Sequence, residues 1–298
     1  MRPIHIALAL LVALVWGFNF VVIEVGIDNF PPIFFSALRF FFAALPLALI
    51  LPRPNVPYRV ILGIGLFLGV IKFSLLFTGM KIGVPAGLSS LVLQVQAFFT
   101  VILAAIIMKE RPTASQVAGI VVAFSGIGLI MTTVEGDVSA LGLTLLIAAA
   151  FFWACSNLLM KKAGNVDMLQ LMVHVSVVAP LPLFVLSLLT EGWEADYNAL
   201  MSLTWLGVGA TAYIAYGATI FGFAAWGYLI RTYGAGQVAP FSLLVPVFGM
   251  SSASLVLGEE FGATKLIAAA LVISGLILVV IKRWPANLSV SARRERGA

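Results

Sequence analysis

The stretch IHIALALLVALVWGFNFVVIEVG, residues 4–26, is an almost uninterrupted apolar run that decides the fold class. The hydrocarbon core of a bilayer is about 30 Å thick, so a helix rising about 1.5 Å per residue crosses it in about 20 residues. This run is long enough to cross. Arg2 is the only basic residue before the run, and the run ends near Glu24 rather than at a small-residue cleavage site. We therefore expect a mature membrane helix rather than a signal peptide.

Nine further apolar runs follow, separated by short connections. Together with the first, they predict an all-α membrane protein of ten transmembrane helices. The runs cover residues 4–26, 31–51, 60–80, 84–108, 116–134, 140–160, 168–189, 203–230, 236–257 and 265–281. The composition agrees, because 62% hydrophobic and 10% charged residues exclude a water-soluble globular domain.

Most of the 17 basic residues fall on the side of the bilayer that holds both termini. They are Arg2, Arg53, Arg59, Lys109, Arg111, Lys161, Lys162, Arg231, Lys282, Arg283, Arg293, Arg294 and Arg296. Only Lys81 and Lys265 fall on the opposite side. Since Lys and Arg are retained in the cytoplasm, both termini are predicted to be cytoplasmic. This bias explains the net charge of +5 without a nucleic-acid surface, and residues 283–298 are predicted to be a disordered, basic, lipid-associated tail.

The two halves of the chain resemble each other. A shift of 137 residues places Trp16 on Trp153, and a shift of 149 places Ala86-Gly87 on Ala235-Gly236 and Glu110 on Glu259. We therefore predict two five-helix repeats, at residues 1–134 and 140–282. Because five is odd, the second repeat enters the membrane from the other side, which is the inverted arrangement of many secondary transporters. Such a protein binds its substrate near the midplane, between the halves.

Charged residues inside the membrane are costly, so each is a functional hypothesis. Arg39 and Lys72 each lie about eight residues inside a predicted helix, at a similar depth to Asn19, and Trp16 shares a helix face with Asn19. The functional interpretation is that Arg39 or Lys72 binds a substrate carboxylate. The alternatives are that Arg39 pairs with Glu24, Asn19 or backbone carbonyls, and that Lys72 extends toward the membrane surface.

Further polar side chains extend this predicted layer. Gln94 and Gln96 are about 200° apart on a helix, so both face one cavity only if the helix is distorted, and Gln94 is preferred. In the second half, Trp153 and Asn157 repeat the pattern of Trp16 and Asn19. All four are candidate substrate-binding residues.

Tyrosines, a histidine and two prolines complete the candidates. Tyr213 and Tyr216 share a helix face and either line the cavity or are simply buried. His174 is the candidate for proton coupling because it titrates near neutral pH, although a packing role is also open. Pro240 and Pro246 each remove a backbone donor and predict a hinge.

Five segments of the chain form recognisable motifs: VWGFNFVVI at 15–23, LRF at 38–40, PAGLSSLVLQVQAFFT at 85–100, FWACSN at 152–157 and VAPFSLLVPV at 238–247. In these segments the chain resembles the ten-helix EamA-type members of the drug/metabolite transporter superfamily. The segments at 85–100 and 238–247 are most similar to the subfamily that exports O-acetylserine and cysteine. The resemblance implies export of small amino acids or derivatives across the bacterial inner membrane.

Other functional classes are less consistent with the sequence. It contains no H-E-x-x-H, no Walker motif and no intramembrane carboxylate pair, which argues against an enzyme and against ATP as the energy source. The single cysteine, Cys155, excludes an intramolecular disulfide. We therefore expect no metal and no cofactor, and transport driven either by protons or by the substrate gradient. The alternatives are an exporter of other metabolites or drugs, a passive channel, a structural membrane scaffold and, least consistent with these motifs, an intramembrane enzyme.

Overall fold

The structure is a computed structural model that describes residues 1–132, 138–164 and 166–280. Within these ranges, ten helices are long and apolar enough to span a membrane. In chain order, α1 to α10 are Pro3–Asn29, Pro32–Ile50, Tyr58–Lys81, Ala86–Ile107, Ala114–Met131, Ala140–Ala163, Met168–Thr190, Trp205–Tyr233, Gly236–Leu257 and Ala263–Val280. The predicted all-α class and ten helices are confirmed, with ends within three residues of those predicted. The predicted residues 133–134, 281–282 and the tail at 283–298 lie outside the described residues.

Because the number of spans is even, Pro3 and Val280 lie on the same side, here called the terminal side; Asn29 lies on the opposite side, here called the far side. Helix α1 packs along α8 and α9, α5 packs along α10, and α6 packs against α3 and α4. Small residues allow these close approaches. A Cβ atom on Gly17 would lie 2.8 Å from the carbonyl oxygen of Val245 in α9.

Four spans contain irregular turns at matching places in the two halves. Helices α3 and α8 widen into π-helical segments at Gly65–Lys72 and Tyr213–Phe221. Helices α4 and α9 tighten into 3₁₀ turns at Leu93–Val95 and Ala239–Leu243. Pro240 lies in the last of these, where a missing N–H interrupts the α-helical ladder. Because π segments occur frequently at functional sites, those in α3 and α8 indicate a functional site near these helices.

A short surface helix, Trp193–Met201, lies between α7 and α8 and was not expected from the sequence. Its first turn carries Glu194 and Asp196, which favour a helix N-terminus. Asp196 is buried, and its carboxylate accepts a hydrogen bond from Ser187 at 2.8 Å. This contact fixes the surface helix against the end of α7.

Helix α2 is capped at its N-terminus by a residue from the other half of the chain. Its own N-cap, Pro31, has no side-chain acceptor, and Glu191 supplies one instead. The two carboxylate oxygens accept from the backbone N–H groups of Ile33 at 2.7 Å and Phe34 at 2.9 Å. The contact joins the far ends of α2 and α7.

We expect Glu191→Ala to lower the free energy of unfolding by about 1 to 2 kcal/mol, because two backbone donors lose a charged acceptor. Thermal unfolding of the detergent-solubilised protein measures the effect. Glu260→Ala is the control, since this carboxylate is exposed on the same side and lies outside the helices. Equal melting temperatures for the two variants would contradict the capping role.

Candidate functional site

Arg39 is a buried cation with one hydrogen bond to the opposite half of the chain. Its side chain is 4% exposed, and its Nε donates to Thr219 Oγ1 at 3.1 Å, in the π segment of α8. Its guanidinium lies 4.0 Å from the ring centroid of Phe73, and Nη1 has no partner among the described residues. The ion pair with Glu24 considered from the sequence is not formed; Arg39 connects α2 to α8 instead of α1.

Lys72 ends the π segment of α3 and is also 4% exposed. Its Nζ lies 3.3 Å from the ring centroid of Phe73 and 4.7 Å from that of Trp153. The ammonium therefore lies against aromatic rings inside the bundle and does not extend to the surface. Cation–π attraction of this kind is worth about 0.5 to 2 kcal/mol, which is less than the cost of burying an unpaired charge.

The two cations share one aromatic ring, so they are close neighbours. Within the described ranges, no carboxylate lies within ion-pair distance of either one. Buried charges in proteins are normally paired, because desolvation costs several kcal/mol per ion. Two buried basic side chains with a free donor on Arg39 form a site that a carboxylate or another anion would stabilise.

Asn19 and Trp16 differ in what they contact, although they share a face of α1. The Trp16 indole N–H donates to the carbonyl of Ala218 at 2.9 Å, so its polar atom is occupied by α8. Asn19 is buried, and its Oδ1 has no hydrogen-bond partner in the described part of the chain. Asn19 thus adds a free acceptor to the interior, where Arg39 has a free donor.

The 3₁₀ turn in α4 distorts the helix beside the two glutamines, and their side chains make different contacts. Gln94 is buried, and its Nε2 is 3.5 Å from the carbonyl of Ser90. Gln96 is half-buried, and its Oε1 accepts from Asn157 Nδ2 at 2.6 Å. The same Nδ2 is 3.1 Å from Thr100 Oγ1. Thr100 was not singled out from the sequence, although its position one turn after Gln96 was a usable signal.

The two tyrosines of α8 do not share an environment, which corrects the expectation from the sequence. Tyr213 is half-buried and its hydroxyl donates to the carbonyl of Val15 at 3.0 Å, whereas Tyr216 is 44% exposed. The reason is the π segment that begins at Tyr213. Its i→i+5 bonding widens the turn, so residues three apart no longer align.

His174 and Pro246 make only local contributions in this conformation. His174 Nδ1 lies 2.9 Å from the carbonyl of Gln170, one turn earlier in α7. Pro246 is buried in the α-helical part of α9. Pro240, by contrast, lies in the 3₁₀ segment and is half-buried.

At the far side, a cavity of about 220 Å³ lies between the start of α4 and the connection from α9 to α10. It is lined by Pro85, Leu88, Glu259, Glu260, Phe261 and Lys265. Burial raises the pKa of the Glu259 carboxyl, and the backbone N–H groups of Gly87 and Ala86 and the charge of Lys265 partly offset this rise. The cavity does not reach Arg39 or Lys72, which stay enclosed.

The ten apolar spans of the described ranges, with a buried polar cluster among them, define a multi-pass membrane protein. The sequence pattern of the EamA-like transporter family matches residues 3–132 and, a second time, residues 140–281. The chain belongs to this family.

The relatives have similar lengths. A probable amino-acid metabolite efflux pump of Escherichia coli K12 is 40% identical over 96% of this chain and 98% of its own length. A protein of the same description from Salmonella typhimurium LT2 is 42% identical over 92% of this chain and 93% of its own length. A probable terminal-alkyne amino-acid exporter of Streptantibioticus cattleyicolor is 27% identical over 90% of this chain and 91% of its own length. One solved crystal structure, 17% identical, superposes with a TM-score of 0.61 over 99% of both chains, which shows a shared fold.

Proposed function

We propose that this protein exports small amino acids or their derivatives, cysteine and O-acetylserine among them, across the bacterial inner membrane. The substrate carboxylate binds between Arg39 and Lys72, and the protein alternates between conformations open to either side. Both termini are cytoplasmic, so the terminal side is the cytoplasmic side. The relatives described as amino-acid exporters support the substrate class, and the bias of basic residues supports the orientation.

The observation that carries this proposal is the buried, unpaired cation pair. A carboxylate there would neutralise one positive charge and accept a hydrogen bond from the free Nη1 of Arg39. The substrate ammonium needs an acceptor, which the free Oδ1 of Asn19 supplies. A zwitterion thus matches the site better than a cation or an apolar molecule does.

Alternating access is supported by the internal duplication. The family pattern matches the two halves separately, and the π and 3₁₀ segments recur at matching positions. Two inverted copies of one unit adopt different conformations and exchange them, which opens the central site to each side in turn. The 3₁₀ segment around Pro240 is the hinge in this scheme.

The experiment is uptake of labelled cysteine and O-acetylserine into liposomes that contain the purified protein. We expect saturable uptake that unlabelled cysteine inhibits. Cysteamine, which lacks the carboxylate, is the matched competitor and is expected to inhibit at least about tenfold more weakly, because it lacks the charged hydrogen bonds to Arg39. Equal inhibition by cysteamine, or no saturable uptake, would contradict the proposed substrate and site.

An imposed pH gradient tests the energy source in the same vesicles. Faster uptake with the gradient, lost in a His174→Gln variant, would identify proton coupling through His174. Uptake that does not respond to the gradient would identify a facilitator driven by the substrate gradient.

A further inference from the structure

We infer that Glu110 and Glu259 are a pair of repeat-related gate residues that close opposite ends of the transporter in alternate conformations. Glu259 closes the far side by binding backbone N–H groups at the start of α4. Glu110 closes the terminal side, in the other conformation, by binding the corresponding groups at the start of α9. This inference depends on the alternating access of the proposed function and not on the substrate.

The far-side contact is present in the structure. Helix α9 ends at Leu257, and Gly258 takes the left-handed conformation with φ 71°, which directs the chain back across the helix end. The Glu259 carboxylate then accepts from the backbone N–H of Gly87 at 3.2 Å and 3.1 Å through its two oxygens. A carboxylate at a helix N-terminus satisfies free donors and interacts favourably with the helix dipole.

Glu110 is held by the same backbone turn. Lys109, which precedes it, is left-handed with φ 56°, as Gly258 is before Glu259. The Glu110 N–H donates to the carbonyl of Ala104 at 3.3 Å, and the Glu259 N–H donates to the carbonyl of Ala253 at 3.3 Å. All these positions match under the 149-residue shift. A lysine seldom adopts positive φ, so the recurrence of this turn indicates that it has a purpose in both halves.

The two glutamates differ in their present partners. The 149-residue shift places Gly87 on Gly236, at the start of α9, so Glu110 would bind there if both ends were closed alike. Instead, Glu110 binds the Lys161 ammonium at 2.5 Å, and both side chains are exposed. Gly236 is also exposed.

The packing of α4 against α9 also differs between the two ends, and it is closer at the end where Glu259 binds. At the far side, α4 and α9 cross closely, and a Cβ atom on Gly249 would lie 2.4 Å from Ser90 Oγ. At the terminal side, the corresponding segments Gln96–Ile107 and Ala235–Leu243 make few contacts with each other. The two helices are therefore packed more closely at the end whose glutamate binds the opposite helix than at the end whose glutamate is turned away.

This arrangement balances two conformations. Each state gains one carboxylate contact to a helix N-terminus and loses the other, so the free-energy difference between the states stays small. A small difference is what a carrier needs to populate both states during a cycle. The exposed ion pair of Glu110 with Lys161 contributes little to stability. Breaking it costs little, so Glu110 is available to bind the start of α9 in the other conformation.

The test is thiol labelling of detergent-solubilised protein in a Cys155→Ser background. Ser90→Cys reports opening at the far side, and Ala239→Cys, its counterpart under the 149-residue shift, reports opening at the terminal side. We expect Glu259→Ala to raise the labelling rate of Ser90→Cys roughly fivefold or more and to lower that of Ala239→Cys. Lys161→Ala frees Glu110 and is expected to shift both reporters in the same directions.

The decisive variant is Lys161→Ala combined with Glu110→Ala. If Glu110 closes the terminal side, this double variant loses the shift that Lys161→Ala alone produces. Glu260→Ala is the control, since this exposed neighbour of Glu259 makes no contact with the start of α4 among the described hydrogen bonds.

The inference is overturned if Glu259→Ala leaves both reporters unchanged, if the two reporters rise together as in unfolding, or if the double variant keeps the shift. Labelling requires no substrate. A failure of cysteine uptake would therefore remove the proposed substrate without affecting this result, and the reverse also holds.

Discussion

Arg39→Met is expected to lower transport of carboxylate substrates by about a hundredfold, because the variant loses a charged donor at an enclosed site. Arg39→Lys keeps the charge but loses the planar fork and its bond to Thr219, so we expect an intermediate rate. Initial uptake rates in liposomes measure both effects. Arg59→Met is the matched control, since Arg59 is exposed at the start of α3 and is expected to transport normally.

The stability of the same variant separates a substrate role from a structural one. If Arg39 only joined α2 to α8, its loss would lower the melting temperature. Because the guanidinium is buried without an acidic partner, we instead expect Arg39→Met to melt at the same temperature or higher. Unchanged transport in the double variant Arg39→Met, Lys72→Met would show that the carboxylate does not bind at this cation pair.

Gly119→Ala is expected to destabilise the protein by about 3 kcal/mol, the upper end of the usual cost of overpacking, although it adds a single methyl group. Helices α5 and α10 touch backbone to backbone here. A Cβ atom on Gly119 would lie 2.6 Å from the carbonyl oxygen of Gly275, and one on Gly275 would lie 2.5 Å from that of Gly119. No side-chain rotation relieves such a clash, so the helices must separate.

The same helix offers a matched control. Gly128 also lies in α5, but nothing would lie within 4 Å of its Cβ atom. Gly128→Ala should leave the melting temperature unchanged or raise it slightly, because alanine favours a helix by up to about 1 kcal/mol. Thermal unfolding followed by size-exclusion chromatography compares the two. Similar stability for Gly119→Ala and Gly128→Ala would contradict the described contact.

The ten spans were predictable from the sequence because the bilayer imposes a fixed length and a nearly uniform apolar composition. The position of Arg39 and Lys72 within membrane spans was predictable for the same reason, since each interrupts an otherwise apolar run. Whether Lys72 is buried or extends to the surface was left open. What the sequence did not determine was their partners. Thr219 is 180 residues from Arg39 in the chain, and no periodicity within a helix specifies which helix lies opposite.

The irregular turns were also beyond prediction. A proline marked the break in α9, but no residue type marked the π segments in α3 and α8, which depend on packing between helices. The error over Tyr213 and Tyr216 followed from assuming regular α-helical spacing there. The surface helix Trp193–Met201 was missed because its apolar content is too low for a membrane span.

A π segment closes each hydrogen-bonded turn over one more residue than an α-helix, so it behaves as a local insertion in a span of fixed height. In α3, the number of residues in the π segment therefore sets the direction in which the Lys72 side chain leaves the helix axis. Deleting one residue from Gly65–Lys72 would turn Lys72 and Phe73 by about 100° relative to the start of α3, while hydropathy stayed almost the same. A one-residue insertion or deletion within a membrane helix thus changes which neighbouring helix a buried charged side chain faces, while the charged residue itself is kept.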